Sequence, residues 1–228
     1  MSKISVIMPS HDRPQFVRQA INSVLWQTFD DFDLMIVENS EEKDTRDIVN
    51  KYIDKDKRIK IFYEDLTLEE RHKDCIVSTI NNKYMDLAEG KYIFFFSDDD
   101  ILFPNCLEEF YKFSESINGE CSHCMQLWLQ YHNGIWNWDH IHGFPNVIFN
   151  EYVTPSCKCT GGAILIRKEF LQDLDKPYFP LNPLHCATAD AVFFEKLAKK
   201  HPIYPLNQVL SIQRFHKGNR SFEWWRPK

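Results

Sequence analysis

Glycine is scarce in this chain of 228 residues, with seven in all, and none of them falls in a GxGxxG or GxxxxGK pattern. Both patterns let backbone N–H groups cradle phosphates. Without them, a bound diphosphate would need a metal ion to meet its charge. Long apolar runs are missing too: nothing approaches the roughly 18 to 20 residues that cross a membrane. The N-terminus shows no secretory signal pattern. The expected location is therefore cytoplasmic, and peripheral contact with the inner face of a membrane is compatible with it. Basic excess is also lacking. A formal net charge of -6 and a pI near 5.8 argue against a nucleic-acid partner, which usually demands a basic face.

Seven cysteines, an odd number without a secretory signal, favour reduced thiols over a disulfide framework. Cys121-x-x-Cys124 and Cys157-x-Cys159 could together supply four zinc ligands, but the spacing is unlike paired CxxC knuckles, so buried thiols are the favoured reading. Cys75, Cys106 and Cys186 fall in no pairing pattern.

What is present begins with an ordinary globular composition, 43% hydrophobic and 26% charged, in a length that suits one large domain. The most informative stretch is Tyr92-Ile93-Phe94-Phe95-Phe96-Ser97-Asp98-Asp99-Asp100. Its apolar run reads as a strand buried on both faces. The three carboxylates that follow repel one another, and holding them at the mouth of such a strand calls for a cation. Mg²⁺ or Mn²⁺ suits carboxylate oxygens and substrate phosphates. The plainer alternative is an acidic turn that caps a helix beginning near Pro104.

Around that stretch the chain alternates. Ile4 to Met8 reads as a strand ended by Pro9-Ser10. Phe16, Val17, Ala20, Ile21, Val24 and Leu25 form one helical stripe after Pro14. Leu34 to Val37 is a second strand, Asp44 to Tyr52 a polar helix, Ile59 to Tyr63 a third strand, and Leu66 to Gly90 is mostly helical. Such alternation predicts a parallel sheet with helices on its faces, binding ligand beyond the carboxyl ends of its strands. In the second half, Asn133-Gly134 between Met125–Tyr131 and Ile135–Trp138 is a hairpin signal. Gly161 to Ile166, Ala189 to Lys200 and Gln208 to Phe215 read as strand, helix and strand. The expected organisation is a single domain, with 1–116 binding a nucleotide and 117–228 shaping the opposite wall. Trp128, Trp136, Trp138, Trp224 and Trp225 offer flat faces on which sugars stack, or else pack a hairpin core.

Several ordered motifs resemble the family 2 glycosyltransferases of the GT-A fold. Ile4 to Thr28, ISVIMPSHDRPQFVRQAINSVLWQT, is similar to that family's opening strand, its P-x-(Y/H)-(N/D)-R turn and the helix ending in S-x-x-x-Q-T. Residues 36–45, IVENSEEKDT, loosely match its second-strand motif. Residues 81–104, NNKYMDLAEGKYIFFFSDDDILFP, resemble its acidic signature. Ala189-Asp190 and the Arg-x-His-x-x-Asn-x-Ser pattern from Arg214 to Ser221 follow in the family's order. The resemblance implies an α/β GT-A (Rossmann-like) fold. Its central sheet would be mostly parallel and flanked by helices, with a smaller antiparallel hairpin region in the C-terminal half.

It further implies an inverting, metal-dependent transferase that takes a nucleotide-diphosphate sugar, a UDP-sugar ranking first, and passes the sugar to a glycan or glycolipid acceptor, as in bacterial surface polysaccharide synthesis. Aligned on Pro104, Asp99 falls on the metal-binding carboxylate, Asp98 beside it near the ribose, and Asp100 next. Ser97 replaces the motif's first acid, so for contact with Mn²⁺ (or Mg²⁺) the order is Asp99, Asp100, Asp98. His216 is the third ligand that the pattern implies, and Asp190 the catalytic base. Pro9, Ser10, His11, Arg13, Glu38 and Arg71 are the expected nucleotide contacts. Two other readings compete. One is a sugar nucleotidyltransferase, although Pro9-Ser10-His11-Asp12-Arg13 is not its glycine-rich basic loop. The other is a non-catalytic sugar-nucleotide or glycan-binding domain, suggested by Ser97 and Glu38.

Overall fold

A computed structural model of the chain describes residues 2–67, 69–70, 74–132, 134–155, 162–182, 184 and 188–217. In chain order the elements are β1 (Ile4–Ser10), α1 (Val17–Leu25), β2 (Phe32–Glu38), α2 (Lys43–Asn50), β3 (Ile59–Tyr63), α3 (Ile76–Leu87), β4 (Tyr92–Phe95) and β5 (Ile101–Leu102). There follow α4 (Cys106–Ser116), β6 (Cys121–His132), β7 (Ile135–His142), β8 (Ile164–Arg167), a 3₁₀ turn (Lys168–Asp173), α5 (Ala189–Lys200) and β9 (Ile203–Phe215). One nine-stranded sheet carries all the strands in the order β3-β2-β1-β4-β8-β6-β9-β5, with β7 paired to β6.

The first half of that order is parallel: β1 pairs with β2 and β4, and β2 with β3. From β8 onward pairing is antiparallel, except where β6 and β9 run parallel. β8 pairs with β6 only at Ser122 and His123, and β7 takes β6 from Gln126 onward. The sheet therefore forks, and the hairpin projects past the parallel body.

Strand periodicity explains how a continuous apolar run stays buried. Ile4, Val6, Met8, Tyr92, Phe94 and Phe96 point into one core, together with Val17, Ala20, Ile21 and Val24 of α1 and Cys106, Leu107 and Phe110 of α4. Ile7, Ile93 and Phe95 point into the other, against Ile80 and Tyr84 of α3 and Phe193, Phe194 and Leu197 of α5. With helices on both faces, β1 and β4 have no polar side to show. The same periodicity argues against the zinc alternative. Cys121 and Cys124 fall in opposite cores, so they cannot share an ion. Burial pushes both thiols up to about 12, and they are free. Cys157, Cys159 and Cys186 lie outside the described residues. Cys75, expected as a thiol, is instead disulfide-bonded.

Gly90, which opens β4, is fixed by close approach of backbone. A Cβ there would lie 2.5 Å from Ser5 N, 2.8 Å from Tyr92 O and 2.9 Å from Ile4 C. Its N–H donates to Ser5 Oγ at 2.9 Å, and that hydroxyl donates to Asp33 Oδ1 at 2.8 Å. Gly90→Ala should therefore pry β1 from β4, costing about 2–3 kcal/mol as overpacking does. For a chain of this size that is a fall of roughly 5–10 °C in Tm, measurable by thermal denaturation; an unchanged Tm would refute the contact. Among the described residues, no helix is long and apolar enough to cross a membrane.

Candidate active site

The carboxyl ends of β1, β2 and β4 lie side by side, because Ser10 is in register with Glu38 and Ile7 with Phe95. Chain order reverses here: from β1 the sheet runs to β2 on one side and β4 on the other. This is the switch point at which open α/β sheets hold ligands. Loops after β1 and β2 are stitched together across it. Asn39 donates its N–H to Ser10 O at 3.0 Å, Asp12 donates its N–H to Ser40 Oγ at 3.0 Å, and His11 Nδ1 lies 3.1 Å from Asn39 O. Asp12 takes a left-handed φ of 47° to make the turn, a conformation that Asp tolerates better than most residues.

Asp98, Asp99 and Asp100 follow β4 into this crevice and are all buried, with 1–2% of their surface exposed. The His11 N–H donates to Asp98 Oδ2 at 2.9 Å. Arg13 Nη1 lies 2.8 Å from Asp98 Oδ1 and 2.6 Å from Asp99 Oδ2. β9 reaches the same place from more than a hundred residues away, because β5 pairs with it at Ile101↔Ile212 and Leu102↔Ser211. That pairing delivers the Arg214 N–H to Asp100 Oδ1 at 2.9 Å and His216 Nε2 to 3.2 Å from Asp99 Oδ2. The Arg214 side chain donates to the carbonyls of Asp99 and Asp100 and to Gln19 Oε1. Its guanidinium lies over the Phe16 ring at 4.8 Å, and the His216 ring packs on Phe16 with centroids 4.3 Å apart.

The electrostatics follow from burial. Desolvation raises the pKa of Asp98, against the pull of Arg13 and with a push from Asp99. Asp100 is pushed up well above the carboxylate range by burial and then by Asp99. Arg13 is desolvated as well, yet Asp98 and Asp99 outweigh that and raise its pKa above its ordinary value. Burial lowers that of Arg214. The cationic partner that three adjacent carboxylates demand is thus supplied within the chain, by two arginines.

Asp190 occupies the first turn of α5, after the N-cap Thr188, and is partly exposed. Helix dipoles favour negative charge at that position. One turn on, Phe193 packs edge-on against Phe95 with centroids 6.1 Å apart, which ties the start of α5 to the end of β4.

Other expected residues are placed as follows. Pro9 and Ser10 end β1, and the buried Ser10 Oγ meets no hydrogen-bond partner among the described residues. Glu38 has no exposed surface. Its carboxylate accepts from the Ser40 N–H at 2.8 Å and from Arg46 Nε at 2.6 Å, so a base could reach it only if Arg46 gave way. Arg71 lies outside the described residues. Trp128 is a hairpin-core residue and not a platform: it is 3% exposed and stacked on His142 at 3.9 Å. Trp136 is half-buried, its ring 6.1 Å from that of Phe16, while Trp138 is 67% exposed. Trp224 and Trp225 lie outside the described residues. Arg214, Phe16 and Gln19 were missed as site residues. Only the Arg-x-His spacing could have pointed to Arg214.

Among the described residues, no group of three or more His, Cys, Asp or Glu side chains is arranged to hold a metal. The donor set is nonetheless of the right chemistry. Carboxylate oxygens suit Mn²⁺ or Mg²⁺, imidazole suits them less well but is a common metal ligand in its neutral form, and Arg13 already stands as a positive centre between two of the carboxylates.

Residues 5–175 match the model of the family described as glycosyl transferase family 2. Protein CgeD of Bacillus subtilis is 24% identical over 212 residues, which cover 91% of this chain and 49% of that protein. The chain spans about half or less of the length of the curated relatives it matches. Among solved structures, S. aureus TarS 1-349 in complex with UDP-GlcNAc superposes with a TM-score of 0.73 at 20% identity, over 95% of this chain and 60% of that one. Mannosyltransferase PcManGT from Pyrobaculum calidifontis, in complex with GDP-Man and Mn²⁺, gives 0.63 at 13% identity, over 98% and 59%. At such identities these two likenesses speak for the fold.

Proposed function

The chain belongs to glycosyl transferase family 2, and from that we propose that it transfers a sugar from a nucleotide-diphosphate donor, a UDP-sugar, to a hydroxyl of a glycan or glycolipid. The observation that carries this reading is the crevice at the ends of β1 and β4, where Asp98, Asp99 and Asp100 meet Arg13, Arg214 and His216. The UDP-GlcNAc bound by TarS supports uracil as the base. Residues 1–116 form the donor half, and 117–228 the acceptor half, with Trp136 and Trp138 as faces for an acceptor sugar.

Asp99, Asp100 and His216 would hold a divalent ion, Mn²⁺ or Mg²⁺, which when bound offsets charge on the departing diphosphate. Asp98, with the His11 N–H fixed on it, lies beside the ribose. Pro9, Ser10 and His11 line the nucleotide side, with Glu38 behind Arg46. Asp190 accepts the proton of the acceptor hydroxyl as its oxygen attacks the anomeric carbon. The bond from that carbon to the diphosphate oxygen breaks with its electron pair. Attack comes from the face opposite the leaving group, so the configuration inverts.

Calorimetric binding of UDP, GDP, CDP and dTDP, each with Mn²⁺ and with chelator, tests the donor half. Tight, Mn²⁺-dependent binding of UDP is expected. A folded protein that binds none of the four would sink the transferase reading.

A further inference from the structure

Arg13 is placed as a divalent ion would be. One nitrogen, Nη1, bridges Asp98 Oδ1 at 2.8 Å and Asp99 Oδ2 at 2.6 Å. The Arg214 side chain donates to two backbone carbonyls and to Gln19. Asp99 Oδ2 faces both Arg13 Nη1 at 2.6 Å and His216 Nε2 at 3.2 Å. A second cation that drew on both Asp98 and Asp99 would meet Arg13 on the same oxygens. The arginine also has a way out. It lies in the loop after β1 with 21% of its side chain exposed, and its long stem can swing the guanidinium without moving the strand.

We propose that Arg13 is a resident counter-cation that competes with the divalent ion for Asp98 and Asp99, and that it is displaced onto the donor's diphosphate when ion and nucleotide bind together. This rests on the metal-dependent donor site proposed above. Without a nucleotide, expelling Arg13 gives up its ion pairs with Asp98 and Asp99 and gains no phosphate in exchange, so the ion alone binds poorly. With a diphosphate present, the planar fork of Arg13 gains two phosphate oxygens, and the exchange becomes favourable. The arginine thereby makes metal binding conditional on nucleotide, while in the empty protein it neutralises carboxylates that would otherwise repel.

The test is Mn²⁺ binding, followed by the loss of the free-ion signal in electron paramagnetic resonance, with and without UDP. Arg13→Met should bind Mn²⁺ alone on the order of tenfold more tightly than the wild type, since removing an adjacent positive charge favours a cation by about that factor. UDP should then improve Mn²⁺ affinity much less in the variant. If Arg13→Met gains no Mn²⁺ affinity while UDP still promotes Mn²⁺ binding to the wild type, the inference falls and the donor site stands. If the wild type takes up no Mn²⁺ even with UDP, both fall.

Should Arg13→Met not fold, Arg13→Lys keeps the charge and identifies the Arg13 guanidinium resonance of the wild type by its disappearance. That resonance should move when Mg²⁺ and UDP bind. If it stays in place while shifts elsewhere report binding, the inference is overturned.

Discussion

Asp190→Asn is expected to lower sugar transfer by about 10²–10⁴-fold, the range over which a positioned general base acts, while the Kd for UDP in Mn²⁺ stays unchanged. The two readouts separate because the carboxylate and the crevice belong to different elements. Asp190 is carried by the first turn of α5, whereas the nucleotide side is built from the ends of β1, β2 and β4 and the loops that join them. Asparagine keeps the shape and loses the capacity to accept a proton. Its helix-dipole interaction is weakened by about 0.3–1 kcal/mol, too little to unfold a chain whose α5 buries Phe193, Phe194 and Leu197. A transfer assay with radiolabelled UDP-sugars, paired with calorimetry, reads both quantities. Transfer at the wild-type rate would remove Asp190 as the base. Loss of transfer together with UDP binding would show instead that the start of α5 shapes the donor site.

How far the sequence foretold this arrangement depended on the range of the interaction. β3 and α5 were legible to the residue, at Ile59–Tyr63 and Ala189–Lys200, and β1, β2 and β4 nearly so. The apolar runs of β1, β2 and β4, buried on both faces, need no partner to be recognised. The Asp98–Asp100 triplet stood out for the opposite reason, since its charge has no place at the mouth of a buried strand unless a cation meets it.

What stayed hidden was decided by pairing across the chain. The two-residue β5 leaves no periodicity of its own, and it exists because Leu102 and Ile101 find Ser211 and Ile212. That pair brings the end of β9, which also runs beside β6, up to the acidic loop. Trp128 was ambiguous because an alternating hairpin does not say which face is covered. The ring of Phe215 from β9, 4.7 Å away, and that of His142 enclose it. The identity of the cation was hidden too: the need for one was legible in the carboxylates, but the guanidinium of Arg13 was not, because it lies 85 residues from the Asp98 it binds.

Asp99→Ala should abolish the Mn²⁺ dependence of UDP binding and yet leave the empty protein as stable as before, or more so. The loss of affinity is expected to be about a hundredfold or more, because even partners that only orient a metal ligand cost 10–100-fold when removed. Calorimetry should then give the same Kd in Mn²⁺ and in chelator. The effect on stability turns on what the buried charges do to one another.

Breaking a buried ion pair is costly when it strands a charge, but Arg13 keeps Asp98 at 2.8 Å and is not stranded. At the same time, Asp99 is the neighbour whose negative charge pushes up both Asp98 and Asp100. Removing it relieves that repulsion, and three carboxylates facing two arginines become two facing two. Tm in chelator should therefore stay within a few degrees of the wild type or rise. The wild type should gain Tm on addition of Mn²⁺ and UDP by the ligand-linkage relation, and the variant should gain little. A sharp fall in Tm in chelator would mean that Asp99 holds the loop together as a structural anchor. Retained Mn²⁺-dependent binding would move the ion to Asp100 and Asp98. The expected pattern, function lost and stability kept, marks a residue held in place at a cost to the fold because the site needs its charge.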